Sequence, residues 1–186
     1  NHAVGPGKAI DTDNFFVVCS NCLGACQGST GPTSINPKTQ KPYGMSFPDL
    51  TIKDMVVAQR LLLDHLKINS LYSVVGGSMG GMQALQWVIE FPKFVQRAMI
   101  VAATPQHSAQ TIAFNEVGRT SIKGDPRWNN GNYSHDSRPE VGLAVARMMA
   151  HITYLSDEGM EERFGRNQMK LSVEEEEQQF AVESYL

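Results

Sequence analysis

Apolar residues in the first half of this chain fall into two kinds of run, and the two kinds alternate. Phe15-Phe16-Val17-Val18-Cys19, Leu71 to Val75 and Ala98 to Ala102 are short, continuous and rich in β-branched residues. Runs of that length and type predict strands covered on both faces, as in a parallel sheet. Between them the apolar positions take a helical spacing. Met55, Val56, Ala58, Leu61, Leu62 and Leu66 form one such stripe, with Thr51 or Asp54 available as its N-cap. Met82, Ala84, Leu85, Trp87, Val88 and Phe91 form the next, and Pro92 stops it. Up to Thr104 the expectation is therefore strand, helix, strand, helix, strand, joined by right-handed crossovers.

The polar stretches divide the rest. Asn1 to Asn14 reads as loop, with Gly5-Pro6-Gly7 as a turn signal. Ser20 to Pro48 is rich in Gly, Ser, Thr, Asn and Pro and has no period. A loop of that length is most often functional, and here it follows the C-terminal end of a predicted strand, where α/β proteins place their sites. After Thr104 no further strand is predicted. Helices are expected over Ser108 to Ile122, from Arg138-Pro139-Glu140 to about Leu155, over Asp157 to Phe164, and from Val173 to Leu186 with the acidic run Glu174 to Glu177. Gly124 to Ser137 is a polar loop between the first two. The chain thus divides into 1–104, a partial α/β core, and 105–186, a helical block with the character of a lid.

Length and charge narrow the classes. A chain of 186 residues is about one domain. A net charge of −3 with scattered Lys and Arg argues against a nucleic-acid footprint. No apolar run approaches the ~18 residues that span a bilayer, and no secretory signal opens the chain. The sequence opens on Asn1 in what reads as mid-loop and closes inside a helical pattern, as expected of a piece of a longer protein. Cys19, Cys22 and Cys26 are an odd set of thiols, which points to a reducing, cytoplasmic setting. Their Cys-x-x-Cys spacing suits a redox pair or part of a metal site. A zinc would need a fourth ligand, and His2 and His65 stand in no ligand spacing, so no metal is expected. The plainer reading is a buried Cys19 ending a strand and two loop cysteines.

Chemistry concentrates at Gly76-Gly77-Ser78-Met79-Gly80, which lies between a predicted strand and a predicted helix. Gly-x-Ser-x-Gly in that context is a nucleophile elbow: a sharp turn that lifts a serine hydroxyl clear of the sheet. The first N–H groups of the helix then point at the reaction centre. Such a serine needs a base and an orienting acid, which in this arrangement follow it in sequence at the ends of later strands. The downstream histidines are His107, His135 and His151, and none stands in that context. The acid and base are therefore expected beyond Leu186, and the first oxyanion-hole loop before Asn1. Arg147 and Tyr154 share one face of an apolar helix, where Arg147 serves either as a salt-bridge partner within the protein or as a clamp for a substrate carboxylate. Asn115, Glu116 and Arg119 form a second polar group, for which structural pairing is expected.

Several longer words resemble the homoserine O-acetyltransferases, acyltransferases of methionine biosynthesis. They are Gly5 to Thr12, Gly28-Ser29-Thr30-Gly31-Pro32 with Ser34-Ile35-Asn36-Pro37, Val75 to Leu85, Ile112 to Val117, and Ala150 to Ser156. The resemblance implies an α/β-hydrolase core with an inserted helical lid, present here in part, and a homodimer built through lid helices. It implies a ping-pong reaction in which Ser78 takes an acetyl group from acetyl-CoA and passes it to the hydroxyl of L-homoserine. Acetyl-CoA is then a co-substrate, and no cofactor is implied. The N–H of Met79 would supply one oxyanion contact. Arg147 would grip the homoserine carboxylate, and Tyr154 would line the same tunnel. Relatives of this kind also use succinyl-CoA, or serine as acceptor. The 186 residues alone are expected to lack activity. Readings of other classes are an esterase, a metal site at the cysteines, or a scaffold with a decayed site.

Overall fold

The computed structural model describes residues 2–134, 136–170 and 178–186. The chain forms two compact units, Asn1–Pro105 and Gln106–Leu186.

In the first unit, the long loop folds back on itself before any helix forms. It carries a short antiparallel ladder between β1 (Ile35–Asn36) and β2 (Lys41–Pro42). Gly31 sits at its tightest point, where a Cβ would stand 2.3 Å from the carbonyl oxygen of Ala25. Helix α1 (Ile52–His65) then starts on a capping box. Thr51 Oγ1 accepts from the Asp54 N–H, and the Asp54 carboxylate accepts from the Thr51 N–H at 2.8 Å. Both residues named as candidate caps are thus used together. β3 (Val74–Gly77) pairs in parallel with β4 (Ala98–Val101), in the register Val74↔Ala98 to Gly77↔Val101, and α2 (Met79–Glu90) connects them. The core of the unit is Val56 and Leu63 of α1, Trp87 of α2 and Phe94, with Ile68, Leu71, Val74, Phe91 and Val95 packed around it. Arg60 lies over the Phe94 ring at 3.9 Å and is paired with Asp64 at 2.8 Å.

Three expectations change here. Phe15 to Cys19 is not a buried strand: it pairs with no strand among the described residues, and Phe16 is 81% exposed. An apolar run becomes a central strand only when neighbours supply hydrogen bonds on its edges, and here the Phe15 N–H turns back to the Asp11 carbonyl at 3.0 Å while its ring meets that of Tyr72. Cys19 is likewise exposed rather than buried. The elbow strand lies further along than Leu71 to Val75. Leu71 makes a lone bridge to Val95, and the ladder proper runs through both glycines to Gly77. On α1 the buried stripe is Val56 and Leu63, while Leu61 is 65% exposed.

In the second unit, α3 (Ala109–Gly124) is capped by Ser108, whose Oγ accepts from Thr111 N–H. It packs on α4 (Glu140–Thr153) at close range. A Cβ at Gly142 would stand 2.3 Å from the Ser121 carbonyl oxygen, so only a glycine permits the crossing. The turn between them includes a 3₁₀ segment, Pro126–Gly131, where Asn129 and Asn130 take positive φ. Helix α5 (Asp157–Phe164) follows its cap Ser156. The expectation of no further strand fails next, because β5 (Gln168–Lys170) pairs antiparallel with β6 (Gln178–Phe180). Runs of three residues are too short to show a period, which is why the sequence did not announce them. Of the helix expected over Val173 to Leu186, residues 173–177 lie outside the described residues, Gln178–Phe180 is strand, and only α6 (Ala181–Tyr185) is helical.

Asp125 fastens the α3–α4 turn. One carboxylate oxygen accepts from the N–H of Arg127 at 2.9 Å, and the other accepts from the N–H of Gly142 at 3.0 Å. These bonds, Gly142 first, hold its carboxyl below the usual carboxylate range. A depressed acid stabilises the fold above its unfolded pKa of about 3.9, and the contribution disappears as pH falls through the lower folded value. Thermal unfolding of this chain followed by circular dichroism should therefore show a fall in Tm below about pH 4. Asp125→Asn should lower Tm at neutral pH and flatten that acid limb; an unchanged limb would exclude Asp125 as its source.

Candidate active site

β3 delivers the chain to Ser78, and α2 carries it away on the next residue. The turn is so tight that the start of the helix lies against the end of the strand. A Cβ at Gly76 would stand 2.0 Å from the Gly80 carbonyl oxygen, and one at Gly81 would stand 2.6 Å from the Ala103 Cβ. Ser78 itself takes φ 55 and ψ −123, a conformation that L residues rarely adopt. Two backbone bonds hold it there. Its N–H donates to the Val101 carbonyl at 2.9 Å, which extends the parallel ladder by one residue, and its carbonyl accepts from Met82 N–H at 3.1 Å, which opens the helix.

The side chain is the informative part. Thr51, Ser108 and Ser156 precede helices too, and each spends its hydroxyl as an N-cap. Ser78 precedes α2 and its side chain caps nothing. The positive φ turns the hydroxyl away from the first-turn N–H groups and out to solvent, where Ser78 is exposed. The N–H of Met79 stands in that first turn, where donors have no intrahelical partner and the helix dipole favours negative charge. A hydroxyl free to attack and an N–H free to stabilise an oxyanion therefore stand on adjacent residues. A second strained residue lies next in the sheet: Ala102, the exit from β4, has φ 48.

The other sequence-predicted residues are placed as follows. His107 is exposed in the loop before α3, and His135 lies outside the described residues. His151 is occupied structurally: its Nδ1 is 3.1 Å from the Tyr185 carbonyl oxygen and its ring meets Tyr185 at 5.2 Å. In the first unit the histidines are His2 and His65, and His65 ends α1. Arg147 is exposed on α4, and Tyr154 is the C-cap residue of that helix, 71% exposed. Seven positions apart on continuous helix, they share a face about 10 Å along the axis. Among the described residues no carboxylate pairs with Arg147. Glu116 and Arg119 do pair, at 2.5 Å, and Arg119 holds the Glu116 carboxyl below its ordinary range. The cysteines are free thiols, and among the described residues no three His, Cys, Asp or Glu side chains converge as metal ligands.

Sequence reading missed Gln59 and Gln83. Gln83 is 7% exposed on α2, and its amide oxygen accepts from Gln59 Nε2 at 2.5 Å. The signal was present: Gln59 falls at the centre of the Val56–Leu63 stripe, where an apolar residue is expected.

Comparison with known proteins bears on the same features. The family profile described as the alpha/beta hydrolase fold matches residues 6–182. The homoserine O-acetyltransferase of Methanosalsum zhilinae is 56% identical over 98% of this chain, and the match covers 38% of that relative's length. The crystal structure of homoserine O-acetyltransferase from Bacillus anthracis aligns with a TM-score of 0.87 at 33% identity, covering 99% of this chain and 51% of that one. The crystal structure of esterase E22 aligns with a TM-score of 0.81 at 38% identity, covering 99% of this chain and 53% of that one. The chain thus spans about two fifths of the length of the curated relative it matches. Among the described residues no helix is long and apolar enough to cross a membrane.

The strain at Ser78 is measurable. Replacing Ser78 with glycine removes the Cβ that makes φ 55 costly. Ser78→Gly should raise the denaturant midpoint by the equivalent of about 1 kcal/mol, whereas Ser78→Ala should not. A glycine variant no more stable than the alanine one would show that the elbow stores no strain.

Proposed function

We propose that this chain, which belongs to the α/β-hydrolase fold family, is the nucleophile-bearing part of an enzyme that acetylates the hydroxyl of L-homoserine. The observation that carries the proposal is Ser78, held at positive φ between β3 and α2 with its hydroxyl withheld from capping. The similarity to homoserine O-acetyltransferases over 98% of the chain supports the choice of substrate.

The proposed reaction runs through Ser78. Ser78 Oγ attacks the thioester carbonyl of acetyl-CoA, its proton passing to a general base. The carbonyl oxygen takes up charge against the Met79 N–H, and collapse of the tetrahedral intermediate expels CoA as its thiol. The acetyl-serine ester then meets the homoserine hydroxyl, the proton moves back, and O-acetyl-L-homoserine leaves with Ser78 restored. Arg147 holds the homoserine carboxylate by paired N–H groups, with the Tyr154 hydroxyl beside it. Base and orienting acid come from segments outside these residues, a reading supported by the 38% share of the relative's length that the chain matches. The exposed apolar side chains of β4, with Met99 at 58% and Val101 at 46%, are where further helices would cover the sheet. Val141 and Ile152 of α4 are exposed at 65% and 45%, which suits pairing of this helix with a second copy.

Esterase activity is the second reading, favoured by the likeness to esterase E22. Water would then take the place of homoserine in the second step. One experiment separates them: mass spectrometry of the full-length protein mixed with acetyl-CoA. An acetyl adduct on Ser78 that is stable in buffer and lost on adding L-homoserine is the expected result. An adduct lost to water alone would favour the esterase, and one formed only from succinyl-CoA would change the donor. Arg147→Ala should form the adduct normally and raise KM for L-homoserine by roughly tenfold to a hundredfold. An unchanged KM would remove Arg147 from the site.

A further inference from the structure

A chain of donors and acceptors runs along the buried side of the elbow helix. Trp87 Nε1 donates to Gln59 Oε1 at 2.7 Å, Gln59 Nε2 donates to Gln83 Oε1 at 2.5 Å, and Gln83 Nε2 donates to Cys22 Sγ at 3.8 Å. Its direction is fixed at one end. An indole nitrogen only donates, so Gln59 must turn its oxygen to Trp87 and its NH₂ to Gln83. Gln83 must then turn its own NH₂ outward, and the group it meets is the half-buried thiol of Cys22. The series crosses three parts of the first unit: α1, α2 and the loop that follows Ser20.

Gln83 stands five residues after Ser78, about 7.5 Å along the helix axis. A hydrogen bond from α1 at that distance fixes how α2 is rotated, and hence where the Met79 N–H and the Ser78 hydroxyl point. The Cys22 end does the same for the loop. That loop is cross-braced by its own hydrogen bonds, with Gly24 N–H donating to the Thr30 carbonyl at 2.9 Å and Asn21 Nδ2 donating to the Gln27 carbonyl. It is therefore held as a piece rather than residue by residue.

We propose that Gln83 is a positioning residue for the nucleophile, its amide holding α2 in register with α1 and tying the Cys22 loop to the elbow helix. The proposal rests on the acyl-serine reading above for its effect on rate, and on geometry alone for the tether. Cys22 thereby acquires a role that needs neither a metal nor a second thiol.

The test uses the full-length protein and Gln83→Met, which keeps the length of the side chain and removes both hydrogen bonds. Alkylation by iodoacetamide, read cysteine by cysteine, should be roughly three- to tenfold faster at Cys22 and unchanged at Cys19 and Cys26. Single-turnover acetylation of Ser78 should be roughly tenfold slower with KM for acetyl-CoA unchanged, a split that general loosening would not produce. Equal Cys22 alkylation in the folded variant, or a wild-type acetylation rate, would overturn the proposal. If Gln83→Met does not fold, Cys22→Ser, which keeps an acceptor, should acetylate as wild type while Cys22→Ala is slowed. Equal rates for the two would overturn it. A wild-type protein that takes no acetyl group would sink the functional reading alone, and the alkylation rates would still decide the tether.

Discussion

The rest of the first unit depends on one contact between backbones: the end of β3 against the start of α2. With Gly76 under the Gly80 carbonyl and Gly81 against Ala103, the strand and helix meet closer than any side chain allows. That closeness leaves Ser78 no conformation but a strained one, and the strain is what frees its hydroxyl. Strain of this kind costs about 1–3 kcal/mol. Each of Val56, Leu63, Trp87 and Phe94 is at least nine-tenths buried, and burial of one such side chain contributes about 1.5–3 kcal/mol. The core can therefore hold the elbow against its tendency to relax, since it joins α1, α2 and the segment around Phe94 that leads into β4.

The same device recurs in the second unit for a different purpose. Gly142 lets α4 approach the backbone of α3, and Asp125 locks the approach by accepting from the Gly142 N–H. Here the result is rigidity without strain, because both carboxylate oxygens find N–H donors. Polar groups on these helices then sort into two kinds. Glu116 and Arg119 satisfy each other on the surface, while Arg147 stands among apolar neighbours in sequence and pairs with no carboxylate among the described residues. An exposed cation with no carboxylate beside it among the described residues is what the proposed substrate clamp requires.

What could be read in the sequence was whatever depends on local chemistry. The elbow was legible because glycines at fixed offsets around a serine leave one backbone solution. The helices α1 to α5 were legible from period and flanking residues, with α5 falling at Asp157–Phe164 as expected, whereas the one expected from Val173 is helical only over Ala181–Tyr185 among the described residues. Strands were less so. Phe15 to Cys19 has the composition of a central strand and pairs with no strand among the described residues, and strand formation is a property of the neighbour as much as of the run. β5 and β6 have partners and no composition to betray them. Gln59 and Gln83 were hidden for a third reason: the helical stripe was read for apolar residues, and two amides whose partners lie on other elements look like interruptions until both helices are in place.

Those amides are costly in an interface of this kind. A Leu at each position would fill the same space without desolvating polar groups, and a buried amide left unpaired costs about 1–3 kcal/mol. What an apolar pair cannot do is choose a rotation, since hydrocarbon surfaces slide over one another with little penalty. A donor that must meet an acceptor at 2.5 Å permits one rotation of α2 and no other. The elbow needs that restriction, because the glycines that admit the close approach also remove the side chains that would otherwise key the helix against the sheet. Precision lost at Gly76 and Gly81 is recovered further along α2 by hydrogen bonds, on the face of the helix turned away from solvent.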